Sequence, residues 1–243
     1  MALSTLSTFG LIDGITALLV VLFGMVFGLY FLYQGKKRDA NQLLKLGIIS
    51  MLAGLMFLGV CLDFLLVVFT DSNINNSWGA AGLLSYIWFA PLIVLAMYIG
   101  SELHLPKNDK AERLILLLYS VLGIIFTVII FLDPFSAFYF GYPEGYPNNP
   151  EALVDYNINL TSIAGLLMAT MLFSVLLFLG VGTLIRGIKL TGVIKKRFIL
   201  ISLGAFCFGI FGILEGLTVP GGVLIFVRIG YLSSFWFLYY GLS

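Results

Sequence analysis

The sequence predicts an all-α integral membrane protein: a seven-transmembrane-helix bundle with the N-terminus outside and the C-terminus cytoplasmic. Three observations carry that expectation. Of 243 residues, 60% are hydrophobic and only 10% charged, against ~25% charged in ordinary globular chains. The apolar residues are gathered into long runs, and the basic residues fall in alternate connections between those runs. A hydrocarbon core of ~30 Å needs ~20 apolar residues per helix, so the composition supplies about six to eight spans and leaves no room for an extramembrane domain. Residues 1–243 therefore read as a single transmembrane domain.

The expected spans are 10–34, 43–69, 79–100, 113–133, 160–185, 197–219 and 221–242. Backbone exposed to lipid must satisfy its own hydrogen bonds, and no run alternates with the ten-residue period of a barrel strand, so each run is expected to be helical. The first run lacks a basic flank before it and exceeds the ~7–15-residue core of a cleavable signal peptide, so it is expected to stay in the mature chain. The second carries Gly47, Gly54 and Gly59, and the sixth Gly204, Gly209, Gly212 and Gly216. Such small residues let helices approach closely in lipid. Trp78, Trp88, Trp236, Tyr239 and Tyr240 mostly fall near run ends, where amphipathic rings suit the interface. The connection 134–159 is the only long one; its aromatics Phe135, Phe138, Tyr139, Phe140, Tyr142 and Tyr146 suit either a segment lying among headgroups or a lid. Its acids Glu144, Glu151 and Asp155 would attract cations.

Orientation follows from the bases. Lys36, Lys37, Arg38 and Lys45 flank the first connection, Lys107, Lys110 and Arg113 the third, and Arg186, Lys189, Lys195, Lys196 and Arg197 the fifth. Twelve of thirteen bases thus share one side, which the positive-inside rule makes cytoplasmic. With four acids on that side, its net charge is +8; the other half has one base and eight acids, a net of −7. The formal total of +1 hides this polarity and gives no basic signature for nucleic acid. The sequons at Asn75 and Asn159 fall on expected outer segments.

Gly82-Leu83-Leu84-Ser85-Tyr86-Ile87-Trp88-Phe89 matches Gly230-Tyr231-Leu232-Ser233-Ser234-Phe235-Trp236-Phe237 at five of eight positions, and a shifted register sets Asp63 against Glu215. This is compatible with a 3+1+3 parallel duplication in which helix 4 is the connector; chance matching of apolar, glycine-rich helices explains it equally well. The arrangement resembles the small sugar transporters, and microbial rhodopsins also have seven helices with the N-terminus outside. Both resemblances stop at topology. The seven prolines, at 91, 106, 134, 143, 147, 150 and 220, miss the Pro-Gln positions in helices 1 and 5 of the sugar transporters. No lysine lies halfway along the last helix to carry a retinal Schiff base.

The candidate binding residues are Asp63, Glu215 and Arg228. Arg228 is the one base outside the inner set, and a charge inside a membrane points to function unless it is paired structurally. Counting ~1.5 Å per residue puts all three about 6 to 10 Å below the outer boundary, so the expectation is an outward-facing charged cavity between helices 2, 6 and 7. There an Arg fork and two carboxylates would either staple the helices or bind an anionic or zwitterionic ligand.

Little else suggests chemistry. His104, the single histidine, excludes bis-histidine haem and multi-histidine zinc sites, and it is expected to be solvated in its loop. Cys61 and Cys207 lie in apolar runs and read as small hydrophobes. No phosphate loop, dinucleotide motif or nucleophile elbow is present, so no enzyme activity, cofactor or metal is expected. A receptor-like or sensory module is the best functional expectation, topologically like the seven-helix input regions of membrane histidine kinases. The last run reaches almost to Ser243, so its signalling partner is expected to be a separate cytoplasmic or membrane protein at the basic inner loops. The alternatives are a small-solute transporter, which lacks the broken helices and midplane polar residues such proteins use, and an accessory subunit holding membrane lipid or a partner protein.

Overall fold

A computed structural model describes residues 6–105, 109–148, 150–218 and 221–243. Pro106 and Lys107, and Val219 and Pro220 of the expected turn between spans 6 and 7, lie outside the described residues.

Span 1 is α1 (Thr8–Lys37), which begins where Ser7 accepts a hydrogen bond from Gly10 N at 3.2 Å and ends on Lys36 and Lys37. A side-chain oxygen at the start and cations in the last turn meet the unpaired N–H groups and carbonyls of a helix. Span 2 is not one helix. It is α2 (Asn41–Leu55) followed by α3 (Leu58–Thr70), bent by 48° at the break. Span 3 comprises α4 (Ala80–Tyr86) and α5 (Phe89–His104), and span 4 is α6 (Asp109–Leu132). A short α7 (Pro134–Ala137) leads into strands β1 (Phe138–Gly141) and β2 (Asp155–Ile158), which pair antiparallel with Phe138 opposite Ile158. Span 5 runs from α8 (Ile163–Val175) through a π-helical segment, Leu176–Gly182, into α9 (Thr183–Ile188). Spans 6 and 7 are α10 (Gly192–Glu215) and α11 (Gly222–Leu242). Among the described residues, six helical segments are long and apolar enough to cross a membrane, and the bent α2–α3 pair makes a seventh if counted as one span. The chain is thus a mostly helical, multi-pass membrane protein. A short two-stranded hairpin, not expected from the sequence, occupies the long connection 134–159.

Packing supports membrane embedding directly. Along α6, Leu114, Leu117, Val121, Ile124, Val128 and Phe131 all point outward, and only Gly123, Phe126 and Ile130 are buried. A helix apolar on every face has no stable place against water. Consecutive spans are neighbours, and α11 returns to pack on α1 and α2, closing the ring. At the α1–α2 crossing, a Cβ on Gly24 would lie 2.6 Å from the Gly54 Cα, so the backbones meet at a distance that only glycine permits.

The two ends differ. At the basic end Lys45 pairs with Glu102 and lies 3.4 Å above the Tyr98 ring, Arg186 donates to the Leu103 carbonyl, and Arg197 donates to the Ser243 carbonyl at 3.2 Å. His104 is not simply solvated: its Nε2 is 2.9 Å from the Phe178 carbonyl, which belongs to the π-helical segment. Wider π turns free carbonyls from the α ladder, and here His104 takes one while Ser202 Oγ donates to another, Gly180 O, at 2.8 Å. The opposite end is closed by the hairpin connection, held by Ser7 N on Glu151 O at 2.8 Å and by Asn73 N on Pro147 O at 2.9 Å.

Candidate functional site

The bend in span 2 creates the first part of the site. A helix start leaves N–H groups without partners, and the start of α3 lies inside the bundle. Gly59 N donates to Ser85 Oγ at 2.9 Å, and Val60 N donates to the Tyr156 hydroxyl at 3.2 Å. The Ser85 and Tyr156 hydroxyls are themselves 2.5 Å apart. A residue of the hairpin thereby caps a helix within the bundle. Burial pushes the Tyr156 hydroxyl far above its ordinary pKa, so it stays protonated and able to donate.

Arg228 lies about two turns into α11 and is 3% exposed. Its Nε donates to Glu215 Oε1 at 3.0 Å, and Nη2 donates both to that oxygen and to Asp13 Oδ1, each at 2.7 Å. Nη1 donates to the Asp13 carbonyl at 2.6 Å and to Thr16 Oγ1. All five N–H donors of the guanidinium are therefore committed. The Phe57 ring, at the break of span 2, lies 5.3 Å from the guanidinium carbon. One side chain ties spans 1, 6 and 7 and rests on span 2.

Of the three residues expected to meet, the structure joins Arg228 and Glu215 and places Asp63 elsewhere. Asp63 is completely buried, and its carboxylate accepts from Ile74 N at 2.6 Å, Val154 N at 2.7 Å and Asn73 Nδ2 at 3.1 Å. It organises the loops that cross the bundle end. Counting depth along a straight helix put it beside Arg228, but the bend sets α3 on its own course and takes Asp63 out of that cluster. Asp13, on span 1, takes its place. The signal for Asp13 was available, since it is a lone acid in the second turn of the first apolar run; what was absent was any indication that span 1 packs on span 7.

Glu215 is only half committed. Its Oε1 accepts twice from Arg228, while its buried Oε2 has no hydrogen-bond partner among the described residues. Glu215 lines a cavity of about 100 Å³ together with Asp13, Asp155, Asn157, Tyr86 and Arg228. Strand β2 forms its roof, which makes the long connection a cover over the cavity. The expected cavity is thus present but shifted: its charged wall is built from spans 1, 6 and 7 and from β2, with apolar side chains of span 2 completing it. Asp155 is exposed at the mouth, yet the protein packed around its carboxyl removes enough water to raise its pKa, and the Asp13 charge adds to that rise.

Three carboxylates and one guanidinium line this space. Because the guanidinium has no donor left to offer, the charged groups left to face an occupant are acceptors, and the excess of three carboxylates over one cation favours a hydrogen-bond donor bearing positive charge over an anion. Among the described residues no group of three or more His, Cys, Asp or Glu side chains could hold a metal ion. The toward-basic half of the bundle is apolar by contrast, with a void of about 30 Å³ lined by side chains such as Leu46, Leu92, Val175, Leu179 and Phe208. The chain matches no protein-family model and no curated protein.

Proposed function

We propose that this chain is a receptor-like sensory module of the cell membrane, with the hairpin end outside and the basic end cytoplasmic. It binds a small cationic ligand in the hairpin-roofed cavity. The observation that carries this reading is the buried, unpartnered Oε2 of Glu215, a residue that lines the acidic cavity next to a saturated Arg228. The cavity ends above a tightly packed apolar half, which suits a ligand that is recognised and released on the same side. Occupancy is read out through spans 5 and 6: Met168 and Gly212 line the cavity, and the π-helical segment below them is held by His104 and Ser202. π-helical segments recur at functional sites because a helix can shift register there at low cost. The moving part ends in the basic connection between α9 and α10, where anionic lipid or a separate signalling partner would dock. No enzymatic role, cofactor or nucleic-acid partner forms part of this proposal.

One observation favours the second reading, a small-solute transporter: span 2 is broken by 48°, and interrupted helices are how transporters build substrate sites. The two readings separate in one experiment. Spin labels at Y33C and I194C, both exposed positions on spans 1 and 6, are placed in a variant with Cys61 and Cys207 replaced by Ala. The distance between them is measured with and without butylammonium. The sensor reading expects a shift of about 1–2 Å or more that E215Q abolishes. An unchanged distance, with accumulation of butylammonium inside sealed vesicles, establishes transport instead.

A further inference from the structure

Gly204, Gly209 and Gly212 lie in α10 and Gly216 immediately follows it, and two of these four glycines do not act as packing residues. A Cβ at Gly204 would lie 2.7 Å from Leu238, and one at Gly209 would collide with Leu176. At Gly212 the nearest atom would be Tyr231 Cε2 at 3.8 Å, and at Gly216 the nearest would lie 3.7 Å away. These last two leave room that no neighbour fills. They border the acidic cavity on one side and, on the other, a second cavity of about 610 Å³ between spans 5 and 6. That second space is lined largely by apolar residues, among them Leu172, Phe173, Leu176, Ile213 and Leu217, and its volume falls in the ~300–1,000 Å³ range of small-molecule sites. Tyr86, Asn157, Met168, Gly212 and Gly216 belong to both walls, so the two spaces adjoin. Phe173 and Leu217 are more than 60% exposed at its outer edge, where a membrane-embedded chain meets lipid.

The geometry points to a binding site for a single-chain amphiphile with a protonated amine head, which enters sideways from the bilayer between spans 5 and 6. The inference rests on the cationic-ligand reading of the charged cavity and adds the ligand class and its route. The alkyl chain lies in the apolar space. The head passes Gly212 and Gly216 and donates to Glu215 Oε2, with Asp155 and Asn157 at the same wall. Lipid tails are as apolar as the groove, so the chain gains little by leaving the bilayer; selectivity comes from the head. An ammonium supplies three donors and a positive charge to an acceptor-rich space, whereas a carboxylate head would face three carboxylates and an arginine with no free donor.

The test is native mass spectrometry of the full chain in phosphatidylcholine nanodiscs, with dodecylammonium, dodecanol and dodecanoate compared at equal bilayer mole fraction and butylammonium supplied from water. Dodecylammonium should bind saturably and at least tenfold better than dodecanol or dodecanoate. A169W, at a position that lines the apolar space and not the charged cavity, should weaken dodecylammonium at least tenfold while leaving butylammonium unchanged, which also shows that the variant is folded; E215Q should weaken both amines. If dodecanol or dodecanoate binds as well as dodecylammonium, the head assignment is overturned. If A169W binds dodecylammonium as the parent does, lateral entry is overturned while the cation cavity survives. If the folded parent binds neither amine, the cation reading itself fails with it.

Discussion

Asp63, which is buried, and Glu215, which is half-buried, are two carboxylates that a repeat alignment would make equivalent, and they do opposite things. Asp63 spends both oxygens on backbone and amide donors from two segments, Asn73 and Ile74 on one and Val154 on the other, leaving nothing for a ligand. Glu215, which lines the cavity, spends one oxygen on Arg228 and keeps the other buried without a partner. The surrounding residues differ as well: Ser85 serves the start of α3, whereas its aligned counterpart Ser233 bonds the Gly230 carbonyl in its own helix. Burial of a charge in a membrane does not by itself separate a structural group from a binding group; the separation comes from counting which lone pairs are already taken.

The widest separation between these regions is expected from Arg228→Ala, which leaves Asp13 and Glu215 buried without their cation. Breaking a buried ion pair costs about 3–5 kcal/mol, so thermal unfolding in detergent should fall steeply, and a change within experimental error would show that the arginine does not staple the bundle. Asp63→Asn comes next. It replaces one oxygen by an amide donor, which opposes the backbone N–H of either Ile74 or Val154, and unsatisfied buried donors cost about 1–3 kcal/mol each; increased proteolysis between residues 140 and 155 reports it, while ammonium binding per folded molecule is retained. Glu215→Gln should be milder for stability, about 1 kcal/mol, since the amide oxygen can still accept from Arg228, but it should abolish the preference for ammonium. Equal loss of stability in Asp63→Asn and Glu215→Gln would erase the distinction.

The smallest effect concerns pH. The Asp155 carboxyl titrates above its ordinary value of 3.8, with Asp13, Glu215 and Arg228 beneath it and Tyr86 and Tyr156 beside it. A raised folded-state pKa means that the charged form is disfavoured in the fold, so this group's contribution to stability is full below 3.8 and is lost as pH rises through the raised value. Asp155→Asn should therefore be slightly more stable than the parent at neutral pH, with the difference vanishing in acid. Cation binding should weaken as pH falls toward the raised value, and less so in the variant.

Much of the architecture was legible in the sequence because a bilayer reduces the problem to hydropathy and the side preference of basic residues. The seven runs map onto the described helices within a few residues, although α10 begins at Gly192 and draws Lys195, Lys196 and Arg197 into its first turns. Arg228 stood out by charge alone, and Glu215 followed as the nearest acid across a short turn. The break in span 2 was not legible, because no proline marks it and the hydrogen bonds that stabilise it come from Ser85 and from Tyr156, nearly a hundred residues away. The hairpin was equally hidden, since aromatic-rich segments suit both an interface and a strand.

By itself, the sequence determined that this chain lives in a membrane, roughly where it crosses, and that one arginine breaks an otherwise one-sided distribution of bases. Those properties are sums over local hydropathy and charge. Only the tertiary structure decided that Arg228 meets Asp13 rather than Asp63, that its donors are exhausted, and that Glu215 keeps an oxygen free. Partnership between buried charges depends on helix neighbours and on angstrom-scale direction, and a single bend between Leu55 and Leu58 was enough to redirect it.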